Sequence, residues 1–270
     1  MSFASFWRRN LAFFRLAVLT NLEYRLNFLT DAVLQPAVTS MIEVTLWFAL
    51  FAGAGVAEIN GFGLNAYLAY AIWSAFMARL TSTWMYEFRM AEEIDSGSIN
   101  SLLTRPFSFF EYYMSQFMGY KTITTVVSLL VPLLTCWIFD LTIIWDRLLP
   151  ALALVFYYLL VVQTLSFIVA TLAFYLNRIH ALTVAKNMGL WLLSGELVPL
   201  DLFPEGIKNA LTWLPFANAV YIPVGYMTGR FGPDLFLRGW ITATYGLIFF
   251  GLLAVLSWKR GVARYAGTGA

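Results

Sequence analysis

The feature that most constrains this chain is a run without charge. Residues 148–177 are 30 consecutive positions lacking Asp, Glu, Lys and Arg, and 59–78, 122–139 and 239–258 are further uncharged runs of 20, 18 and 20. A helix crossing the hydrocarbon of a bilayer needs roughly 20 mainly apolar residues. The chain therefore reads as an all-α polytopic membrane protein. Only 12% of its 270 residues are charged and its mean hydropathy is +0.73, against about 25% charged residues in a soluble domain. The runs far exceed the alternating segments of about 10 residues that mark a lipid-facing barrel.

Six transmembrane helices are expected, near 28–52, 64–86, 118–139, 149–176, 184–200 and 237–258. Lys and Arg then sort by side. Of the 17, 12 fall on the side of the two termini, four on the other side (Arg147, Lys208, Arg230, Arg238), and Arg79 falls within span 2. Basic residues accumulate in cytoplasmic loops, so both termini are expected in the cytoplasm. Arg8, Arg9 and Arg15 interrupt the opening stretch, which does not read as a removable signal peptide.

Residues 1–27 form a different element. Phe3, Phe6, Trp7, Leu11, Phe14, Val18 and Leu22 recur every three or four residues with arginines between them, the pattern of a basic amphipathic helix lying in the membrane interface. Its role is either to anchor span 1 or to transmit force from a cytoplasmic partner. At the opposite side, Pro199, Pro204, Pro215, Pro223 and Pro233 are five of the nine prolines. Between them "PEGIKNALTWLPF" can form a helix too short to cross, starting at Pro204. Residues 201–236 are thus expected as a re-entrant or interfacial hairpin covering the outer end of a pathway.

Enzyme signatures do not emerge. The sequence holds no G-x-x-x-x-G-K-[ST] phosphate loop, no G-x-S-x-G elbow and no H-E-x-x-H. The single Cys136 rules out an internal disulfide, and with only His180 beside it a Cys/His metal site is not expected. Three ionisable residues, Glu43, Arg79 and Glu196, are singled out inside the spans as possible pathway residues, because charge at mid-bilayer must face protein or water. At a rise of about 1.5 Å per residue, Glu43 lies about 22 Å from the cytoplasmic edge and Arg79 about 11 Å. A direct pair is not expected on that arithmetic, and Arg79 reads as snorkelling toward the cytoplasm. Glu43 reads equally as a structural hydrogen-bonding group or a pathway residue, and Glu196 as hydrated by the hairpin. The aromatic "FSFFEYY" (107–113) reads as an interfacial belt where span 3 begins.

Between spans 2 and 3 lies a polar island, "EEIDSGSINSLLTRPFS" (92–108). Gly97 permits a turn, Ser98 is a candidate N-cap, and Pro106 ends helix at Arg105. A helix near 98–105 would carry Ile99, Leu102 and Leu103 on one face. At about eight residues it is shorter than the roughly 12–15 needed for marginal stability alone, so its apolar face needs a partner. Lipid is one candidate. The acids Glu92, Glu93 and Asp95 beside an anionic leaflet favour a cytoplasmic protein instead.

With that island, the interfacial helix, six spans and the segment 192–229 that runs from "LLSGELVPL" to "GYMTG", the chain resembles the permeases of ABC-2 type ATP-driven transporters. It looks most like the branch often encoded as two permeases with one ATPase. The resemblance implies a single permease domain over 1–270, with a cytoplasmic coupling segment at 87–117. It implies ATPase coupling through Glu92, Glu93, Ile94, Asp95, Gly97, Leu102, Leu103 and Arg105, and an outer hairpin carrying Pro199, Pro204 and Pro215. ATP and Mg would be bound by a partner ATPase, with no cofactor on this chain. The partners implied are ABC ATPase subunits, a second permease chain and membrane lipid, without nucleic acid, in the bacterial inner membrane, and export is the usual direction. The alternative from the residues is a proton- or ion-coupled secondary transporter using Glu43 and Arg79; an intramembrane scaffold is a third reading.

Overall fold

The computed structural model describes residues 3–141, 143–176 and 178–265, with side chains from residue 5 onward. The described residues form α-helices α1 (Phe3–Glu23), α2 (Arg25–Leu29), α3 (Gln35–Ala54), α4 (Leu64–Thr81), α5 (Trp84–Asp95), α6 (Asn100–Leu103) and α7 (Phe109–Ser128). They continue with α8 (Leu130–Ile138), α9 (Leu148–Thr171), α10 (His180–Leu193), α11 (Glu205–Thr212), α12 (Tyr221–Met227) and α13 (Pro233–Arg264). A two-residue antiparallel hairpin, β1 (Glu58–Ile59) and β2 (Phe62–Gly63), pairs Glu58 with Gly63 and Ile59 with Phe62. Its turn places Asn60 and Gly61 at positive φ, the geometry that favours Asn-Gly.

Among the described residues, four stretches are long and apolar enough to cross a membrane: Arg25–Ala54, Phe109–Ile138, Trp145–Phe174 and Pro233–Arg264. They coincide with the first, third, fourth and sixth expected spans. The chain is a multi-pass, all-α membrane protein. The second and fifth expected spans are shorter helices. α4 has 18 residues and α10 has 14, about 27 Å and 21 Å at 1.5 Å per residue.

α4 is the centre of the bundle. Every residue from Tyr67 to Met77 is buried, and α4 packs against α3, α7, α8, α9 and α12. A helix apolar on all sides belongs inside protein. It stops at Ser82, whose backbone is extended, and α5 restarts after Thr83 on the polar side of the break. α7 and α8 meet at Leu129, whose backbone stays in the helical region, three residues before Pro132, which has no N–H to continue the ladder.

α1 lies along α7 and α9 along α13. The first contact is close because Gly119 has no side chain: a Cβ there would meet the Phe14 carbonyl oxygen at 2.7 Å. The bundle has an island end, carrying residues 92–108, and a hairpin end, carrying β1, β2, α11 and α12. The expected short helix at the hairpin end is α11, with Pro204 at its N-cap. α12 beside it is nearly all buried.

Candidate functional site

Helices α1, α2, α3, α4, α5, α7 and α10 line a partly open cavity of about 560 Å³. A π-turn over Thr30–Leu34 joins α2 to α3 and carries Asp31 into its wall. Arg79, from the last turn of α4, ion-pairs with the Asp31 carboxylate. Its Nε donates to the Asp31 carbonyl at 2.8 Å and its Nη2 to the Tyr120 hydroxyl at 2.9 Å. The Tyr120 hydroxyl in turn donates to the Asp31 carboxylate. Arg79 therefore does not snorkel free; it is held by a partner within the first span. Lys121 donates to the Arg79 carbonyl at 3.0 Å, with its ammonium 5.4 Å from the Phe117 and Tyr120 ring centres.

Glu196, just beyond α10, also lines this cavity, with Trp84 and Trp191. Glu43 accepts from the Ser74 hydroxyl at 3.3 Å, linking α3 to α4. Arg79 and Glu196 thus share one cavity wall, and Glu43 stands apart from Arg79, as the depth arithmetic expects.

Toward the island end, the break between α4 and α5 is a knot of polar groups. Lys186 of α10 ion-pairs with Glu87 of α5, whose side chain is fully buried. The Lys186 ammonium also donates to the Ser166 hydroxyl at 2.9 Å and the Thr83 hydroxyl at 3.2 Å, and Ser166 donates to Thr83 at 2.7 Å. Groups from α5, α9, α10 and the break between α4 and α5 bond to one another here, as buried charge requires, while the second Glu87 oxygen, Oε1, is buried without a hydrogen-bond partner among the described residues.

The island is built on the end of α5. The Ser96 N–H donates to the Glu92 carbonyl at 2.9 Å, and Gly97 turns the chain at φ 78° so that the Ile99 N–H reaches the Glu93 carbonyl at 2.9 Å. Glycine tolerates that left-handed backbone without a side-chain clash. The following helix is shorter than the expected 98–105: α6 spans only Asn100–Leu103, and its N-cap is Ile99 rather than Ser98. The expected apolar face is divided for a physical reason. Ile94 and Ile99 are buried in the bundle's own core, Leu102 is half-buried, and Leu103 is 39% exposed. Glu92, Asp95 and Arg105 are exposed, and Glu93 is half-buried at 3.7 Å from Arg89.

The exit from the island is tied to α1. Arg9 donates from Nη1 to the Pro106 carbonyl at 3.0 Å and from Nε to Glu111 at 2.9 Å. Asn10 donates to the same carboxylate at 3.0 Å and accepts from Ser115. The N-terminal helix and the island therefore form one connected unit.

At the hairpin end, Pro199 and Pro215 are buried and Pro204 is exposed at the start of α11. The centre of this region is Arg230, 1% exposed in its side chain, which ion-pairs with Asp201 at 2.9 Å. Its guanidinium stands 4.5 Å, 4.4 Å and 4.8 Å from the ring centres of Phe62, Tyr67 and Tyr70. Tyr221 donates to the Asp201 carboxylate and Asn60 to its carbonyl. One arginine thus joins the β hairpin, α4, the turn before α11 and the loop before α13.

Asp31, Lys121 and Lys186 were within reach of sequence reasoning, since all three fall inside expected spans near their ends. Arg230 was not: a loop arginine carries no sign that three aromatic rings will close around it.

Long apolar helices around a partly open cavity with ionisable walls define a multi-pass membrane protein. The comparison with known families is more specific. A family model described as ABC-2 family transporter protein matches residues 37–269, and the chain belongs to that family. No curated protein and no solved structure matches the chain.

Proposed function

We propose that the chain is the membrane-spanning permease subunit of an ATP-driven ABC-2 type exporter, hydrolysing no ATP itself. The reading treats residues 1–270 as one permease domain with six spans, an interfacial helix at 1–27, a coupling segment at 87–117 and an outer re-entrant region at 201–236. Both termini face the cytoplasm of a bacterial inner membrane. Two permease chains, identical or related, act with ABC ATPase subunits that bind ATP and Mg.

The observation that carries the reading is the island in a chain of this family. It is anchored by buried Ile94 and Ile99 yet presents Leu103 and Arg105 outward, beside exposed Glu92 and Asp95. A short helix with its root fixed and its tip free is suited to receive a push from a docked protein. The push has a route inward: α5 continues from the island to the Glu87–Lys186 pair and to Trp84 in the cavity wall. α1 takes the same load through Arg9. The cavity is then the substrate pathway, with Asp31, Arg79 and Glu196 on its wall, and the Arg230 cluster secures its outer end.

The ion-coupled alternative built on Glu43 and Arg79 loses support from the engagement of Arg79 by Asp31 and Tyr120 rather than by Glu43. The test is the variant Leu102→Asp with Leu103→Asp. It is expected to insert normally and to lose both the co-purifying ATPase and ATP-dependent transport. A variant that keeps both refutes docking at the island.

A further inference from the structure

The charged pair on the cavity wall presents its acid more than its base. In the Arg79–Asp31 pair the acid side chain is 37% exposed and the guanidinium 12%. Lys121 is 1% exposed, its ammonium turned to a carbonyl and two rings. Glu196 is partly exposed at the wall and forms no ion pair with a described base. The bases are withdrawn and the acids are presented. Two indoles complete the wall: Trp84 and Trp191 are half-buried, with ring centres 6.0 Å apart.

Carboxylates in a partly desolvated space attract cations strongly, and aromatic faces add a quadrupole attraction for the same sign. An organic anion would meet Asp31 and Glu196 with Arg79 already engaged by Asp31 and Tyr120 and Lys121 turned to a carbonyl and two rings. The cavity volume, about 560 Å³, lies within the roughly 300–1,000 Å³ typical of sites for drug-sized molecules. We propose that the cavity takes organic cations, molecules with a protonated amine or quaternary centre on an apolar body. The cation lies at Glu196 and the body lies against Trp84 and Trp191. This rests on the reading of the cavity as the transport pathway.

The test uses the full chain in phosphatidylcholine nanodiscs and two probes of like shape and opposite charge, tetraphenylphosphonium and tetraphenylborate. With empty discs as background, the phosphonium should bind saturably and the borate should not. Glu196→Gln should weaken phosphonium binding about tenfold or more, about 1.4 kcal/mol per decade, and Glu196→Asp should restore most of it. Trp191→Ala, which leaves the acid in place, should also weaken it. Equal or tighter saturable binding of the borate, or unchanged affinity in both Glu196→Gln and Trp191→Ala, overturns the proposal. A cysteine at Ala78, on the cavity wall, tests the pathway reading separately. If its maleimide labelling in the complete transporter does not change on adding ATP, the pathway reading fails. If labelling changes but no cation preference is seen, the cation class alone fails.

Discussion

The Lys186 ammonium on α10 pairs with the Glu87 carboxylate on α5, and the carboxylate side chain has no exposure at all. Taking two charges out of water is costly, and a buried pair is recovered only when both members are present and further hydrogen-bonded. Ser166 and Thr83 supply those bonds to the Lys186 ammonium, whereas Glu87 relies on Lys186, its Oε1 having no partner among the described residues. Lys186→Met should therefore destabilise the protein by roughly 3–5 kcal/mol by stranding Glu87. Replacing both, as Glu87→Leu with Lys186→Met, should recover most of that loss. Thermal melting of the purified variants checks it, and simple additivity of the two losses would show that the pair is not coupled.

The two ends of the island helix should respond oppositely to the same change. Ile99 is wholly buried and Leu103 is 39% exposed. Ile99→Asp places a carboxylate in the core and should cost several kcal/mol, on the order of 3 or more. Leu103→Asp should leave the melting temperature of the isolated chain nearly unchanged, within about 0.5 kcal/mol, while removing association with an ATPase. Melting and co-purification, measured on both variants, separate folding from docking.

Arg230 should not tolerate lysine. The planar guanidinium stacks among three rings while it pairs with Asp201, and a compact ammonium reproduces neither geometry. Arg230→Lys should lower stability by about 1–2 kcal/mol, and Arg230→Ala by roughly 3–5 kcal/mol through the stranded Asp201. Both should raise the labelling of a cysteine at Asn60 or Leu235, which line the same pocket as Arg230.

Close approach of α1 and α7 depends on Gly119. A side chain there meets the Phe14 backbone and the Ala17 methyl, so Gly119→Leu should cost about 1–3 kcal/mol or more and loosen the Arg9–Glu111 contact. Gly189, on α10, has no atom within 4 Å of an added Cβ. Gly189→Ala should be neutral or stabilise the helix by up to about 1 kcal/mol. Melting temperatures of the two variants provide the comparison.

Helix positions were legible in the sequence where a long uncharged run made them so, as in α9 and α13. The second and fifth spans were less so. The Ser82–Thr83 break follows from a tertiary contact: Thr83 is engaged by Ser166 and Lys186, which no local pattern reports. The partner of Arg79 turned on the same limit. Depth arithmetic argued against Glu43, but Asp31 becomes the partner through a π-turn, and its sequence "LTDAVLQP" carries no distinct mark of one. The island's turn at Gly97 and the α11 start at Pro204 were readable because glycine and proline fix backbone angles locally. The burial of Ile99 was not, because a single apolar residue on a polar segment looks the same whether it faces its own core or a partner.

Docking of a separate ATPase at the island, as proposed, is open to direct test. A photo-crosslinking residue placed at Leu103, with a second at Leu237 as an exposed control on α13, tests it in native membranes. Leu103 should capture a protein bearing a phosphate-binding loop, and Leu237 should not. Capture of lipid alone at Leu103, or the same protein at both positions, would contradict it.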